Sequence, residues 1–198
     1  VTLTPGFHAA PPGHVATVVT HLEMSAPPAT LANLPDDTHL APLDTATPDT
    51  YRDLFRAVGQ DWLWFSRLRM SDDDLTAILT DPAYDAFALR RGDADLGLLE
   101  LDFREENACE LAFFGLTQAA IGTGLGRALM GEATRRAFAR PITRFHVHTC
   151  TLDSPQAMPF YRHSGFTAVR QEVEIAPDPR LTGDLPRNAA PQIPIIEA

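Results

Sequence analysis

The spacing of apolar residues changes period several times along the chain, and each change marks a predicted element. Residues 15–24, VATVVTHLEM, are rich in β-branched side chains and lie between Gly13 and Pro27, which predicts a strand. In PDTYRDLFRAV (48–58), Tyr51, Leu54, Phe55 and Val58 share one face at helical spacing. Thr47 is a cap candidate, Pro48 suits the first turn, and Asp49 sits beside the helix's positive end. A second helix is predicted over 72–81, with Ser71 as its cap and three aspartates in its first turn. Three apolar stretches, 84–91, 94–103 and 109–116, read as strands. Gly92-Asp93 forms the first hairpin turn and Glu105-Glu106-Asn107 part of the second. A glycine-rich loop then opens a helix that runs to Arg140 and is stopped by Pro141. A strand over 143–152, a short helix over 155–163 and a last strand over 166–175 complete the pattern.

The predicted order is strand, two helices, three strands, helix, strand, helix, strand. The three-strand meander makes part of the sheet antiparallel, and a strand–helix–strand unit follows it. That mixture predicts an α+β domain of three layers, α/β/α, around one mixed central sheet. Of the 17 prolines, 8 fall in residues 1–50 and 5 in 177–198. Proline fixes φ and removes a backbone donor, so regular structure is expected mainly between 49 and 176, the strand at 15–24 excepted. A length of 198 residues suits one domain with tails. The division is an N-terminal tail over 1–14, a core over 15–176 and a proline-rich C-terminal extension over 177–198.

Composition narrows the classes of function. Hydrophobic residues make up 44% and charged residues 21%, which is globular rather than disordered. No run approaches the ~18 apolar residues of a membrane span. The first residues carry neither a basic cluster nor an apolar core, so no secretory signal is expected. A net charge of −10 argues against non-specific nucleic-acid binding. Charge is uneven, however: residues 36–106 hold 17 acids against 7 arginines, while 107–170 hold 3 against 7. The second region could meet a small polyanion. All 16 basic residues are arginine, which removes the lysine of a Walker loop and of Schiff-base chemistry. Cys109 and Cys150 cannot frame a metal alone and read as buried free thiols in a reducing cytosol, so a cytoplasmic protein without a metal is expected.

Chemistry concentrates in two stretches. The first is CELAFFGLTQAAIGTGLGRALMGEATRRAFA (109–139), where a strand runs through Gly122-Thr123-Gly124-Leu125-Gly126 into a helix. Free backbone N–H groups at a helix start, with the dipole behind them, form an anion site. Arg127 adds a positive charge in the first turn, a position that an anionic partner would make favourable. A dinucleotide fingerprint fails, because Arg127 stands where its last glycine belongs and no acid lies between Glu132 and Asp153. The second stretch, LDSPQAMPFYRHSGF (152–166), reads as a helix capped by Ser154, opened by Pro155 and stopped by Gly165.

Together these stretches resemble the GNAT superfamily of N-acetyltransferases. Motif A of that family, (Arg/Gln)-x-x-Gly-x-(Gly/Ala), is similar to Ile121-Gly122-Thr123-Gly124-Leu125-Gly126. Motif B, Asn-x-x-Ala-x-x-(Phe/Leu)-Tyr-x-x-x-Gly-Phe, is similar to the run from Ser154 through Ala157, Phe160, Tyr161 and Gly165 to Phe166. The element order agrees from about residue 15 to 176. The resemblance implies acetyl-CoA in a cleft where the fourth and fifth predicted strands splay apart. Its pantetheine would pair with the backbone of Phe114 and Leu116, flanking Gly115. Its pyrophosphate would sit on amides of Gly122, Thr123, Gly124, Leu125, Gly126 and Arg127. Tyr161 would protonate the departing thiolate, and Glu110 matches the place of the family's base. Two residues depart from the motifs. Ile121 offers no side-chain donor, and Ser154 replaces the asparagine that would meet CoA or the helix start. Pro159 is expected to kink the short helix near Tyr161.

Other residues stay open as alternatives. Glu100, Asp102 or an ordered water could replace Glu110 as base. As a base, Glu110 would need its pKa raised by burial. His146, His148 and Cys150 alternate on one strand face and read as core and cleft lining, with His148 a candidate proton carrier. Trp62, Trp64 and Phe65, followed by Arg67 and Arg69, border the implied acceptor pocket. The arginines suit a carboxylate, and the acidic segment around them suits a cationic amine. The expected activity is transfer of acetyl from acetyl-CoA to a small-molecule or peptide amine, with no nucleic-acid or membrane partner and a homodimer left open. The rival is a non-catalytic acyl-CoA-binding or regulatory domain of the same fold, to which Ile121 and Ser154 point.

Overall fold

A computed structural model describes residues 3–197; positions 1–2 and 198, the outer ends of the two expected tails, lie outside the described residues. The strands are β1 (His14–Met24), β2 (His39–Pro42), β3 (Tyr84–Arg91), β4 (Ala94–Asp102), β5 (Ala108–Leu116), β6 (Arg144–Cys150) and β7 (Thr167–Pro177). The helices are α1 (Pro48–Gly59), α2 (Asp72–Leu79), α3 (Leu125–Phe138) and α4 (Ala157–His163). All seven strands join one sheet in the order β2-β3-β4-β5-β6-β1-β7. Neighbours are antiparallel except β5 and β6, which are parallel and joined through α3. The mixed three-layer α+β architecture is therefore present, with one strand more than the sequence pattern predicts. β2 is four residues long, too short to display an alternation, and pairs only with β3. At that sheet edge Pro42 removes no needed donor.

The caps of α1 and α2 form as their sequences imply. Thr47 accepts a hydrogen bond from the Thr50 amide and Ser71 one from the Asp74 amide. Tyr51, Leu54, Phe55 and Val58 of α1 then pack with Leu75 and Leu79 of α2 on Ala86, Ala88 and Leu98 of the sheet. On the opposite face, Leu125, Leu129 and Ala133 of α3 and Tyr161 of α4 pack on Leu22, Leu101, Leu111 and Val147. Each such fully buried large side chain contributes about 1.5–3 kcal/mol of apolar burial.

Three local expectations are corrected. α4 starts at Ala157, not at residue 155, because a turn precedes it: the Ser154 carbonyl accepts from the Ala157 amide and its hydroxyl from the Gln156 amide. Pro159 consequently occupies the third helical position, where the missing N–H would have no helical acceptor, and it breaks no helical bond there. α2 ends at Leu79, two residues early.

After β7 the chain folds back on the domain. Asp178 and Arg180 form a buried ion pair, 2.7 Å apart, and Arg180 also donates to the carbonyls of Ala189, Ala190 and Ile193. Leu185, Ala189 and Ala190 pack with Val15 and Leu63 as a third apolar cluster.

Candidate active site

The parallel pairing of β5 and β6 lasts only three residues, Ala108 opposite Arg144, Cys109 opposite Phe145 and Glu110 opposite His146. A bulge explains the parting. On β4, Glu100 pairs with Phe113 but Leu101 with Leu111, leaving Ala112 as the extra residue that bends β5. β6 instead follows β1, with pairing from Phe145 to Cys150. The opening is a cavity of about 580 Å³, bordered by the aromatic residues after α1, by β5, by the loop before α3, and by α4 and β6.

The polar edge of β5 faces this opening. The Thr117 amide bonds to the Leu96 carbonyl on β4, so strand alternation turns the N–H and C=O groups of Leu116 and Phe114 the other way. Between them, a Cβ on Gly115 would stand 2.4 Å from Val58, which explains how α1 comes so close to the strand. The loop ahead of α3 supplies the second backbone site. Gly122 and Gly124 take φ of +80° and +86°, and a Cβ on either would meet no atom within 4 Å. Gly124 is the N-cap and has no side chain to satisfy the first amides of α3. The exposed Arg127 follows, with no ion-pair partner among the described residues. Open space, free amides and an unpaired cation fit a pyrophosphate. Leu125 points into the core and can offer only its backbone, as can the exposed Ile121. Thr123 donates its hydroxyl to the Ala120 carbonyl, which holds the turn.

Tyr161 lines the cavity and is 7% exposed, packed edge-on against Phe160 and Phe166. Burial, and then the negative charge of Asp153, raise its pKa, so the hydroxyl stays protonated at neutral pH and can act as a donor. Phe160 in turn stacks on Phe114, 5.6 Å between ring centres, tying α4 to β5. Ser154 also lines the cavity.

At the other end stand Trp62, Trp64 and Phe65. Trp64 is locked by Phe55 and Phe113 and donates its indole N–H to Asp153 at 3.1 Å. Arg67 is not with them. It is 7% exposed, lies over the Phe113 ring and pairs with Glu100 at 3.3 Å and the Tyr84 hydroxyl at 2.7 Å. Its expected contact with an acceptor is corrected, because the guanidinium is buried against Phe113, paired with Glu100 and Tyr84, and does not line the opening. Glu100 is equally unavailable as a base: it is fully buried and accepts from Tyr51, Tyr84 and Arg67. Arg104 binds Asp102 and holds its pKa down despite partial burial.

Glu110 lies beside the opening without lining it. Its carboxylate accepts from Nδ1 of His148 at 3.1 Å, and that bond holds its pKa below the usual carboxylate value rather than above it. The same bond raises the pKa of His148, which does line the cavity. Asp153 and Glu174 also border the site but escaped the sequence reading. Asp153 follows β6 and ties Trp64 to the Thr149 hydroxyl, while Glu174 arrives from β7 through the sheet order. Cys109 is buried, whereas Cys150 is half-buried and borders the cavity. Among the described residues, no group of three His, Cys, Asp or Glu is placed to hold a metal, and no helix is long and apolar enough to cross a membrane.

Solved structures match this fold at low sequence identity. An acetyltransferase from Thermus thermophilus is 22% identical, with a TM-score of 0.52 over 71% of this chain and 96% of its own. A GCN5-related N-acetyltransferase from Kribbella flavida is 17% identical, with a TM-score of 0.55 over 86% of this chain and 63% of its own. An aminoglycoside acetyltransferase from an uncultured soil metagenomic sample, solved with sisomicin, is 17% identical, with a TM-score of 0.57 over 70% of this chain and 94% of its own. No curated protein matches the chain by sequence. A family model, the acetyltransferase (GNAT) family, matches residues 48–166, more than half of the chain and the whole span from α1 to the end of motif B. The chain thus belongs to the GNAT family of acetyltransferases.

Proposed function

We propose that the protein transfers an acetyl group from acetyl-CoA to an amine by direct attack in the cleft between β5 and β6. The observation that carries this reading is the single opening that joins three features: a strand edge with outward N–H groups, a glycine loop with open space over its amides, and a buried, protonated Tyr161. Pantetheine would pair with Phe114 and Leu116, and the pyrophosphate would lie over Gly122 to Arg127. The amine nitrogen would attack the thioester carbonyl, and a β5 amide would stabilise the oxyanion that forms. Tyr161 would give its proton to the sulfur as the C–S bond breaks. Trp62, Trp64 and Phe65 would wall the acceptor, with Glu174 and Asp153 adding negative charge that suits a cationic amine. The experiment is a transfer screen with radiolabelled acetyl-CoA against amines, amino acids and peptides. Labelled product with any class supports the reading. CoA binding without transfer to any class would favour the non-catalytic alternative.

A further inference from the structure

We propose that His148 is the base that takes the acceptor's proton, and that Glu110 is a positioning residue that holds and polarises the imidazole. The proposal rests on acyl transfer in this cleft. Glu110 occupies the last paired position of β5, opposite His146, and its carboxylate reaches diagonally to Nδ1 of His148. A carboxylate can only accept, so Nδ1 carries the hydrogen and Nε2 keeps its lone pair. Nε2 has no hydrogen-bond partner among the described residues. His148, half exposed, borders the cavity, and Glu110 does not.

The charges around the ring reinforce this polarity. Glu110 faces it from β5, Glu174 from β7 and Asp153 from the turn after β6. From β1, the His21 ring lies 5.8 Å away and is itself bound to Glu172 of β7 at 2.8 Å, beside Arg170. His146 lies on the same face of β6, near Glu110. The three carboxylates favour the imidazolium, and the hydrogen bond to Glu110 is the largest influence, so the pKa rises from its ordinary value. A base is most effective with a pKa near the working pH, which favours this imidazole over a carboxylate held low by its own partner. In the step, the amine nitrogen forms the N–C bond and its proton passes to Nε2. The C–S bond breaks, and the thiolate receives the proton of Tyr161. Exchange with water returns both side chains to their starting states, so acetylated amine and free CoA are the only products.

Two measurements test this. Nitrogen NMR of the histidine rings in the wild-type protein, with CoA present and no acceptor, reads the tautomer and pKa of His148 directly. The expected neutral form is Nδ1-protonated, with a raised pKa that falls in Glu110→Gln; a neutral ring protonated on Nε2 alone overturns the proposal. Thiol release from acetyl-CoA is then followed from pH 6 to 9 with a panel of alkylamines, polyamines and amino sugars. His148→Gln should lose ~10²–10⁴-fold in kcat and its rising pH limb, the worth of a general base. Glu110→Gln should lose less and keep a limb displaced to lower pH. Equal losses with the limb abolished in Glu110→Gln would return the role of base to Glu110. If the wild type turns over an amine and His148→Gln keeps its rate and limb, the base assignment alone fails. If the wild type releases no thiol with any amine, acyl transfer itself fails and the base with it.

Discussion

Replacing Gly124 with glutamate separates the cost of changing the loop from the loss of its ligand. Gly124 has φ of +86°, and an added Cβ would meet nothing within 4 Å. The folded protein therefore meets no clash, only the left-handed backbone penalty of ~1–2 kcal/mol. For a chain of this size ~1 kcal/mol moves the melting temperature by ~2–4 °C, so the variant should melt ~2–8 °C lower. The empty space above the loop is where phosphate oxygens would lie, and the new carboxylate would occupy it with like charge. CoA at ~100 times its dissociation constant should stabilise the wild type by ~2.7 kcal/mol, or ~5–11 °C. In Gly124→Glu that increment should vanish. Gly124→Ala carries the same backbone penalty without the charge and should keep part of the response. Differential scanning fluorimetry with and without CoA measures all three. A full CoA response in Gly124→Glu, or none in the wild type at millimolar CoA, would refute the assignment of the loop to pyrophosphate.

Tyr161→Phe deletes only a hydroxyl from a buried ring, so kcat should fall ~10–100-fold with acetyl-CoA affinity nearly unchanged; an unaltered kcat where chemistry limits the rate would remove Tyr161 from the mechanism. Glu100→Ala should cost ~3–5 kcal/mol, because it strands the buried Arg67 and two tyrosine hydroxyls, and urea unfolding would read this as a lower midpoint. The Glu110–His148 pair should make stability depend on pH in both directions. Glu110 has a lowered pKa, so its contribution is present above the ordinary carboxylate value and lost as pH falls through the lowered one. His148 has a raised pKa, so its contribution is full below the ordinary imidazole value and lost as pH rises through the raised one. The stability advantage of wild type over His148→Gln should thus peak between pH ~4.3 and ~6.5 and shrink on either side, and a flat difference across urea midpoints would count against the pair.

Local signals carried most of the fold. The caps at Thr47 and Ser71, the face of α1 and the hairpin around Gly92 each lie within a few residues, and each appears where the sequence pattern puts it. What escaped was either too short or too distant. β2 has four residues and gains its hydrogen bonds from β3, more than forty positions on. The ordering of the chain after β7 depends on Arg180, whose guanidinium collects three carbonyls and Asp178; proline content says nothing about such contacts. The start of α4 turned on whether Ser154 caps a helix or closes a turn, two uses of one side chain that local sequence does not separate.

The site divides along the same line. In the proposed reading its donor half is backbone: positive φ at Gly122 and Gly124 and the outward edge of β5 follow from a contiguous run of residues. Its acceptor half is made of side chains from separate elements, and there pair partners decide availability. Arg67 looked free beside two tryptophans, yet Glu100, 33 positions later, neutralises and buries it. Glu110 looked like a lone acid in an apolar strand, yet His148, 38 positions later, holds it ionised. The second outcome depends on strand pairing. With Glu110 opposite His146, the next residue on the same face of β6 is His148. A slip of one residue would bring the other face of β6, with Val147, to that position. The choice between carboxylate and imidazole as the base is thus set by the register of a three-residue parallel ladder.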